Sequence, residues 1–330
     1  VKSLFPDMLS SLYYNTKTKS IMKTNYFGKL FLALLFLSTG LAAQNSDNNP
    51  ILISGTKFTY PLIEKWITEY TKINPNVQLK LVQSKANAQD PDLNVIAHFP
   101  QKDELKENDG IVYAGRYALL PVTNSKNPFL TSIAKRGLNK KDIDKLFFEA
   151  FNYGDDQKKE KPKLPATIYA RENHSCASTA LAGYFGHESS EIKGKKVLGD
   201  DIYLLSAVKK DTIGIAYNNL GYLFDINTRK LKDGIALLPL DLKKDEKNVL
   251  SGNVDDAITL LERSQIETIP VVNFGFVYSQ QNIRKEVSDF LKWVLTDGQK
   301  YNHGFGFLNL NKDVLVEQSN HLTERLLSLK

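Results

Sequence analysis

The stretch from 51 to 82 constrains the fold most. Residues 51–54 are an unbroken apolar run and read as a strand. A loop over 55–60 follows, and Pro61 suits the first turn of a helix, where a missing N–H costs nothing. Leu62, Trp66 and Tyr70 recur every four residues, with Ile63 and Ile67 widening the same face. Asn74-Pro75-Asn76 ends that helix, and 77–82 alternates apolar and polar as a half-buried strand does. Strand, helix, strand is a βαβ unit, which favours a parallel sheet.

The same alternation continues. Strands are expected at 93–97, 117–122, 168–170, 213–217, 235–240 and 271–278, and helices at 139–148, 178–185 and around Val254, Ala257, Ile258 and Leu261. Segments 155–163 and 241–248 are charged and read as a solvated loop and a connector. Past Asn282, Val287, Phe290, Leu291, Val294 and Leu295 form one helical face; a glycine-broken turn and a short apolar strand then run to Leu310. The chain reads as α/β.

The N-terminal part reads as a leader. A basic stretch from Met22 to Lys29, an apolar core over 30–37 and small residues at 41–43 are the three parts of a secretory signal peptide. The apolar core falls short of the roughly 20 residues that span a bilayer. Segment 22–43 is therefore expected to be a cleavable signal peptide, and 1–21 an upstream extension or disordered leader. Gln44 stands where a lipid anchor would need cysteine, so a soluble exported protein is expected. Cys176 is the single cysteine and permits no internal disulfide, so stability must come from the core. The net charge is +6, but Lys2, Lys17, Lys19, Lys23 and Lys29 against Asp7 place most of it in the leader. The near-neutral remainder argues against a nucleic-acid footprint.

Catalytic and metal motifs are sparse. The sequence has no GxSxG elbow, no GxxxxGK[ST] loop and no HExxH pair. Zinc held by His174, Cys176 and His187 lacks paired-ligand spacing, and a thiol nucleophile at Cys176 with His174 as its base is a minor alternative. Two expected helix N-termini follow strands and could bind an anion: Gly55-Thr56-Lys57-Phe58, and the segment from Arg171 to Ser178. Arg171 at a strand end could fork onto an oxyanion, with Ser175 and Ser178 as hydroxyl donors. The bland alternative is an arginine paired to a carboxylate and two structural caps.

Several phrases in this order resemble phosphate-binding proteins that feed ABC importers. They are ISGTKFTYPLIEKW at 53–66, YALLPV at 117–122 with Asn127-Pro128, the segment from Leu138-Asn139 to Phe148, IGIAY at 213–217, and FLKWVLTDGQK at 290–300. Residues 168–177 fall where that family has R-x-D-G-S-G-T. The resemblance implies a type II periplasmic binding protein: two lobes, each a mixed, mostly parallel sheet flanked by helices. Lobe 1 would comprise 50–122 plus 245–330, and lobe 2 would comprise 123–244.

The resemblance further implies a monomer that is not an enzyme and carries no cofactor or metal. It would capture phosphate or a related oxyanion in the periplasm and deliver it to the membrane permease subunits of an importer. The implied ligand-binding set is Thr56, Lys57, Phe58, Ser84, His98, Arg171, Ser175 and Cys176. The sequence departs from the family pattern at four places. Lys57 replaces a small hydroxyl residue, Cys176-Ala177 replace Gly-Thr, Asn173 replaces the aspartate that braces the arginine, and Ala97-His98 occupy the region of the aspartate that accepts phosphate's proton. These departures open an alternative: an exported interaction or signalling module on the same scaffold, with a degenerate anion site.

Overall fold

A computed structural model describes residues 49–82, 90–101, 104–148, 164–281 and 283–328. The expected leader, the charged 155–163 segment and Ser84 lie outside the described residues.

The chain opens as expected. Strand β1 (Ile51–Gly55) leads through a 3-10 turn, Lys57–Thr59, into helix α1 (Tyr60–Ile73), and β2 (Leu79–Leu81) and β3 (Leu93–Ile96) follow. Both strands pair parallel to β1, as a βαβ crossover requires. Strand β4 (Asp109–Asn124) is far longer than the expected 117–122. Its first half, DGIVYAGR, carries two glycines, an arginine and a register shift between Tyr113 and Gly115, which hide the strand period.

Beyond β4 come α2 (Leu130–Ala134), α3 (Lys140–Phe147), β5 (Thr167–Arg171) and α4 (Cys176–Phe185). Then follow β6 (Lys195–Val197), α5 (Ile202–Lys210), β7 (Gly214–Asn219), α6 (Leu220–Leu223) and β8 (Ile235–Leu237). Strand β8 stops short of the expected 240 because Pro239 cannot donate to a ladder.

The expected connector 241–248 is instead partly helical, as α7 (Lys244–Gly252). Leu250 is its one buried residue, so no apolar stripe announces it. Next are α8 (Val254–Arg263), β9 (Val271–Ser279) and α9 (Lys285–Leu295). The predicted face of α9, from Val287 to Leu295, is buried. The expected strand up to Leu310 is replaced by two 3-10 turns and a single bridge, in which Arg116 and Leu308 exchange backbone hydrogen bonds of 2.8 Å each. Helix α10 (Lys312–Ser328) ends the described chain. No described helix is long and apolar enough to cross a membrane.

The strands form one mixed sheet in the order β2-β1-β3-β9-β4-β7-β5-β6, with β8 also on β4. Outer pairs are parallel, whereas every pair made by β4 is antiparallel. Strand β4 therefore belongs to two sheet halves. Residues 109–118 pair with β9, and 119–124 pair with β7 or β8. Trp66, Phe274, Phe276 and Phe290 pack the first half, and Trp66 Nε1 donates to the Gly298 carbonyl at 2.9 Å. Phe147, Phe185 and Tyr217 pack the second.

Candidate functional site

Strand β1 ends in a backbone conformation only glycine takes readily. Gly55 has φ of 121°, and a Cβ there would meet the Val95 carbonyl oxygen at 2.3 Å. This close approach lets the Thr56 amide and hydroxyl both donate to Val95 O, at 3.0 and 3.1 Å. The loop that opens α1 is thus fixed beside the end of β3. Lys57 points to solvent. Phe58 is a core side chain, with ring centroids 4.8 Å from Tyr117 and 6.0 Å from Phe307.

From the second half, β5 leads through a short turn into α4. Ser175 is the N-cap and accepts from the Ser178 amide at 3.2 Å, while Ser178 Oγ donates to the Arg171 carbonyl at 3.0 Å. Cys176 is the first residue of the helix. Its Sγ lies 3.0 Å from Thr56 Oγ1, so the two helix openings touch.

His98 completes the cluster. It follows β3, is only 6% exposed, and pairs through Nε2 with Glu104 Oε2 at 2.7 Å. Glu104 is held in turn by the Gln101 amide at 2.8 Å. The other ring nitrogen, Nδ1, is buried and makes no formed hydrogen bond. Burial alone would depress the His98 pKa, but the neighbouring Cys176 sulfur and Glu104 outweigh it and push it up to about 9. Burial pushes the Cys176 thiol up, yet the imidazolium of His98, the Thr56 hydroxyl and the Ala97 amide together hold it below the ordinary thiol range. Both directions favour the charged forms, thiolate and imidazolium, at a helix N-terminus.

Arg171 does not join the cluster. The guanidinium expected to fork onto an anion is buried and turned into its own half. Nε donates to Asp201 Oδ1 at 2.7 Å, and the two terminal nitrogens donate to the Val197 and Gly199 carbonyls. Burial pushes the Asp201 carboxyl up in spite of this partner. Arg171 therefore braces β5, β6 and the start of α5. Asp201 is the brace that Asn173 could not supply, and at 30 residues' distance no local pattern could reveal it.

The zinc alternative also separates in space. His187 sits past the far end of α4, where it pairs with Asp144 at 2.8 Å and stacks on Phe148 at 4.3 Å. Ten helical residues, about 15 Å, separate it from Cys176. Among the described residues no three His, Cys, Asp or Glu side chains form a metal cluster. The thiol's electrostatic partner is His98, not the His174 of the minor alternative. Of the residues named from the sequence, Thr56, His98 and Cys176 lie in one neighbourhood with Ser175 as the adjoining cap, and Glu104, which lies in a charged loop without a motif, joins them.

A groove of about 510 Å³ runs from His98 between the sheet and the flank of α4, lined by Tyr113, Thr179, Tyr184, His187 and Asn273. It joins residues of β4 and β9 to α4, so it lies between the halves.

Solved structures share this fold. An ABC-type phosphate transport receptor from Vibrio cholerae matches with a TM-score of 0.55 at 13% identity, covering 79% of this chain and 100% of that one. A protein assigned as a phosphate ABC transporter substrate-binding protein from Clostridium perfringens, solved with phosphate bound, matches at 0.54 and 16%, covering 80% and 100%. The fold is that of a type II periplasmic binding protein. A third structure with this binding-protein fold, from Planctomyces limnophilus and assigned as phosphate-binding, matches at 0.50 and 14%, covering 84% and 99%. No family model and no curated protein matches the sequence.

Proposed function

We propose that this chain is an extracytoplasmic solute-binding protein that holds phosphate or a related oxyanion between its lobes for an ABC importer. The lobes would be 50–122 with 245–330, and 123–244. The observation that carries the reading is the meeting of two helix openings, Thr56 before α1 and Cys176 at the start of α4, beside a cationic His98. Backbone amides at such ends, together with an imidazolium, make a positive seat suited to an anion. Ser175 and His98 are the donors assigned to the ligand, with Thr56 lining the seat and the Lys57 and Phe58 amides at the rim. Because Thr56 and Cys176 are in contact, the anion enters only when the lobes part, and closure then follows its tighter binding to the closed state.

A second reading has its own support. Arg171 is committed to Asp201, and the Thr56–Cys176 contact fills the point where the two openings meet. This favours an exported module that docks to a membrane complex without a small ligand. A thermal-shift screen with phosphate, sulfate, arsenate and molybdate separates the two. An anion at a hundred times its dissociation constant adds about 2.7 kcal/mol of stability. Stabilisation by one of them supports the transport reading; no shift with all four overturns it in favour of the module.

A further inference from the structure

Cys176 combines features that anion binding does not use. It is the chain's single cysteine, it stands first in a ten-residue helix, and Thr56 Oγ1 is 3.0 Å from its sulfur. Beside it is an imidazole more than nine-tenths buried, with Nδ1 lacking a formed hydrogen bond and Nε2 fixed by Glu104 at 2.7 Å. A fixed carboxylate behind an imidazole orients the ring and favours its protonated form. A buried nitrogen without a bonded partner is costly to keep and points to a transferable proton or a transient ligand. His98 also lines the 510 Å³ groove, so the imidazole is the face of the pair that a small molecule in the groove meets.

We propose that Cys176, with His98 as its proton partner and Glu104 behind the imidazole, is a reactive thiolate site that is oxidised by hydroperoxides such as hydrogen peroxide. The sulfur attacks one peroxide oxygen, so an S–O bond forms as the O–O bond breaks. The departing hydroxide takes the proton of the His98 imidazolium and leaves as water. Sulfur loses two electrons and the peroxide gains them, and the product is a sulfenic acid at Cys176 with neutral His98. The groove is lined by His98, and the sulfur behind it is half-buried. No second cysteine exists in the chain, so the sulfenic acid has no internal thiol with which to close a disulfide.

The titratable groups around the pair are few. Glu104 faces His98 from the loop after β3, and Tyr117 of β4 faces the sulfur. Burial pushes the Tyr117 phenol far up, so it stays neutral. Asp201 lies behind it, already engaged by Arg171, and His187 and Glu188 line the far part of the groove.

The test uses the full chain in phosphate-free buffer, so it is independent of anion binding. Hydrogen peroxide is added, loss of the thiol is followed in time, and sulfenic acid is trapped with dimedone and located by mass spectrometry. One adduct is expected, at Cys176, with a second-order rate that falls less steeply from pH 8 to pH 6 than the roughly tenfold per unit of an ordinary thiol, because the neighbouring imidazole favours the thiolate. In His98→Gln the rate is expected to fall about tenfold per pH unit over the same range, as for an ordinary thiol. Glu104→Gln, changed at the surface side of the imidazole, is expected to lie between the two. A native rate that itself falls tenfold per unit, or an absence of adduct while the unfolded chain reacts, overturns the proposal. The native pH profile decides the matter even if His98→Gln does not fold.

Discussion

Arg171 shows how a residue of the expected type in the expected place can have a different occupation. Three of its nitrogens are bonded to Asp201, Val197 and Gly199 within the second sheet half. Arg171→Ala would leave the Asp201 carboxylate buried without its partner, and breaking such a pair costs about 3–5 kcal/mol. Urea unfolding of the unliganded variant should show that loss. Unchanged stability would mean that the brace does not operate in solution.

His98 and Cys176 set a second residue-scale expectation. A histidine raised from 6.5 to about 9 contributes stability below 6.5 that is lost as pH climbs through about 9. A lowered thiol works oppositely: its contribution is present above its unfolded pKa near 9 and is lost as pH falls through the folded value. Between about 6.5 and 9 the proton His98 gains on folding offsets the one Cys176 releases. The stability difference between the protein and Cys176→Ser should therefore be level where the two contributions change together and stay level above about pH 9, where both states have lost both protons. Urea midpoints measured across pH check this, and a steady slope through the window would contradict the ion pair.

At the element scale, caps explain why helices start where they do. Asn139 accepts from the Asp142 amide at 3.0 Å, and Asp142 accepts from the Asn139 amide at 3.1 Å, a reciprocal capping box at the start of α3. Asn139→Ala should lower stability by about 1 kcal/mol, measured by chemical unfolding. Helix α4 starts at Cys176, not at the expected 178, because the cap is Ser175; serine at 178 instead turns its hydroxyl back to Arg171 O. This two-residue difference moves Cys176 from a turn into the helix's first position, where the dipole favours a thiolate. Helix α7 was hidden for the opposite reason: it is polar nearly all round, and its start is fixed by Lys243 and Glu246 rather than by an apolar stripe.

At the scale of the molecule, β4 couples the halves. Its 16 residues pair first with β9 and then with β7 and β8, so it is the strand that joins the two halves of the sheet. Both tryptophans report the first half alone: Trp66 packs on Phe274 and Phe276 of β9, and Trp293 on Tyr70 of α1. Far-ultraviolet circular dichroism reports both halves. The two signals should trace one coincident urea transition, the mark of two-state unfolding. Fluorescence changing at a lower urea concentration than ellipticity would show that the halves unfold separately.

Local periodicity and turn chemistry were enough to set β1, α1, β9 and the buried face of α9, because burial on one face writes itself into the spacing of apolar residues. Thr56 and Ser175 were named as helix openings from local chemistry, whereas His98 and Cys176 entered the set through the family resemblance. Chain folding alone decided their partners. That Arg171 turns to Asp201 and that Cys176 meets Thr56 across 120 residues are outcomes of sheet order and β4 crossing, while Glu104 reaches His98 through the loop after β3. Contacts between charged side chains distant in sequence leave no period in it, so only the packed molecule reveals them.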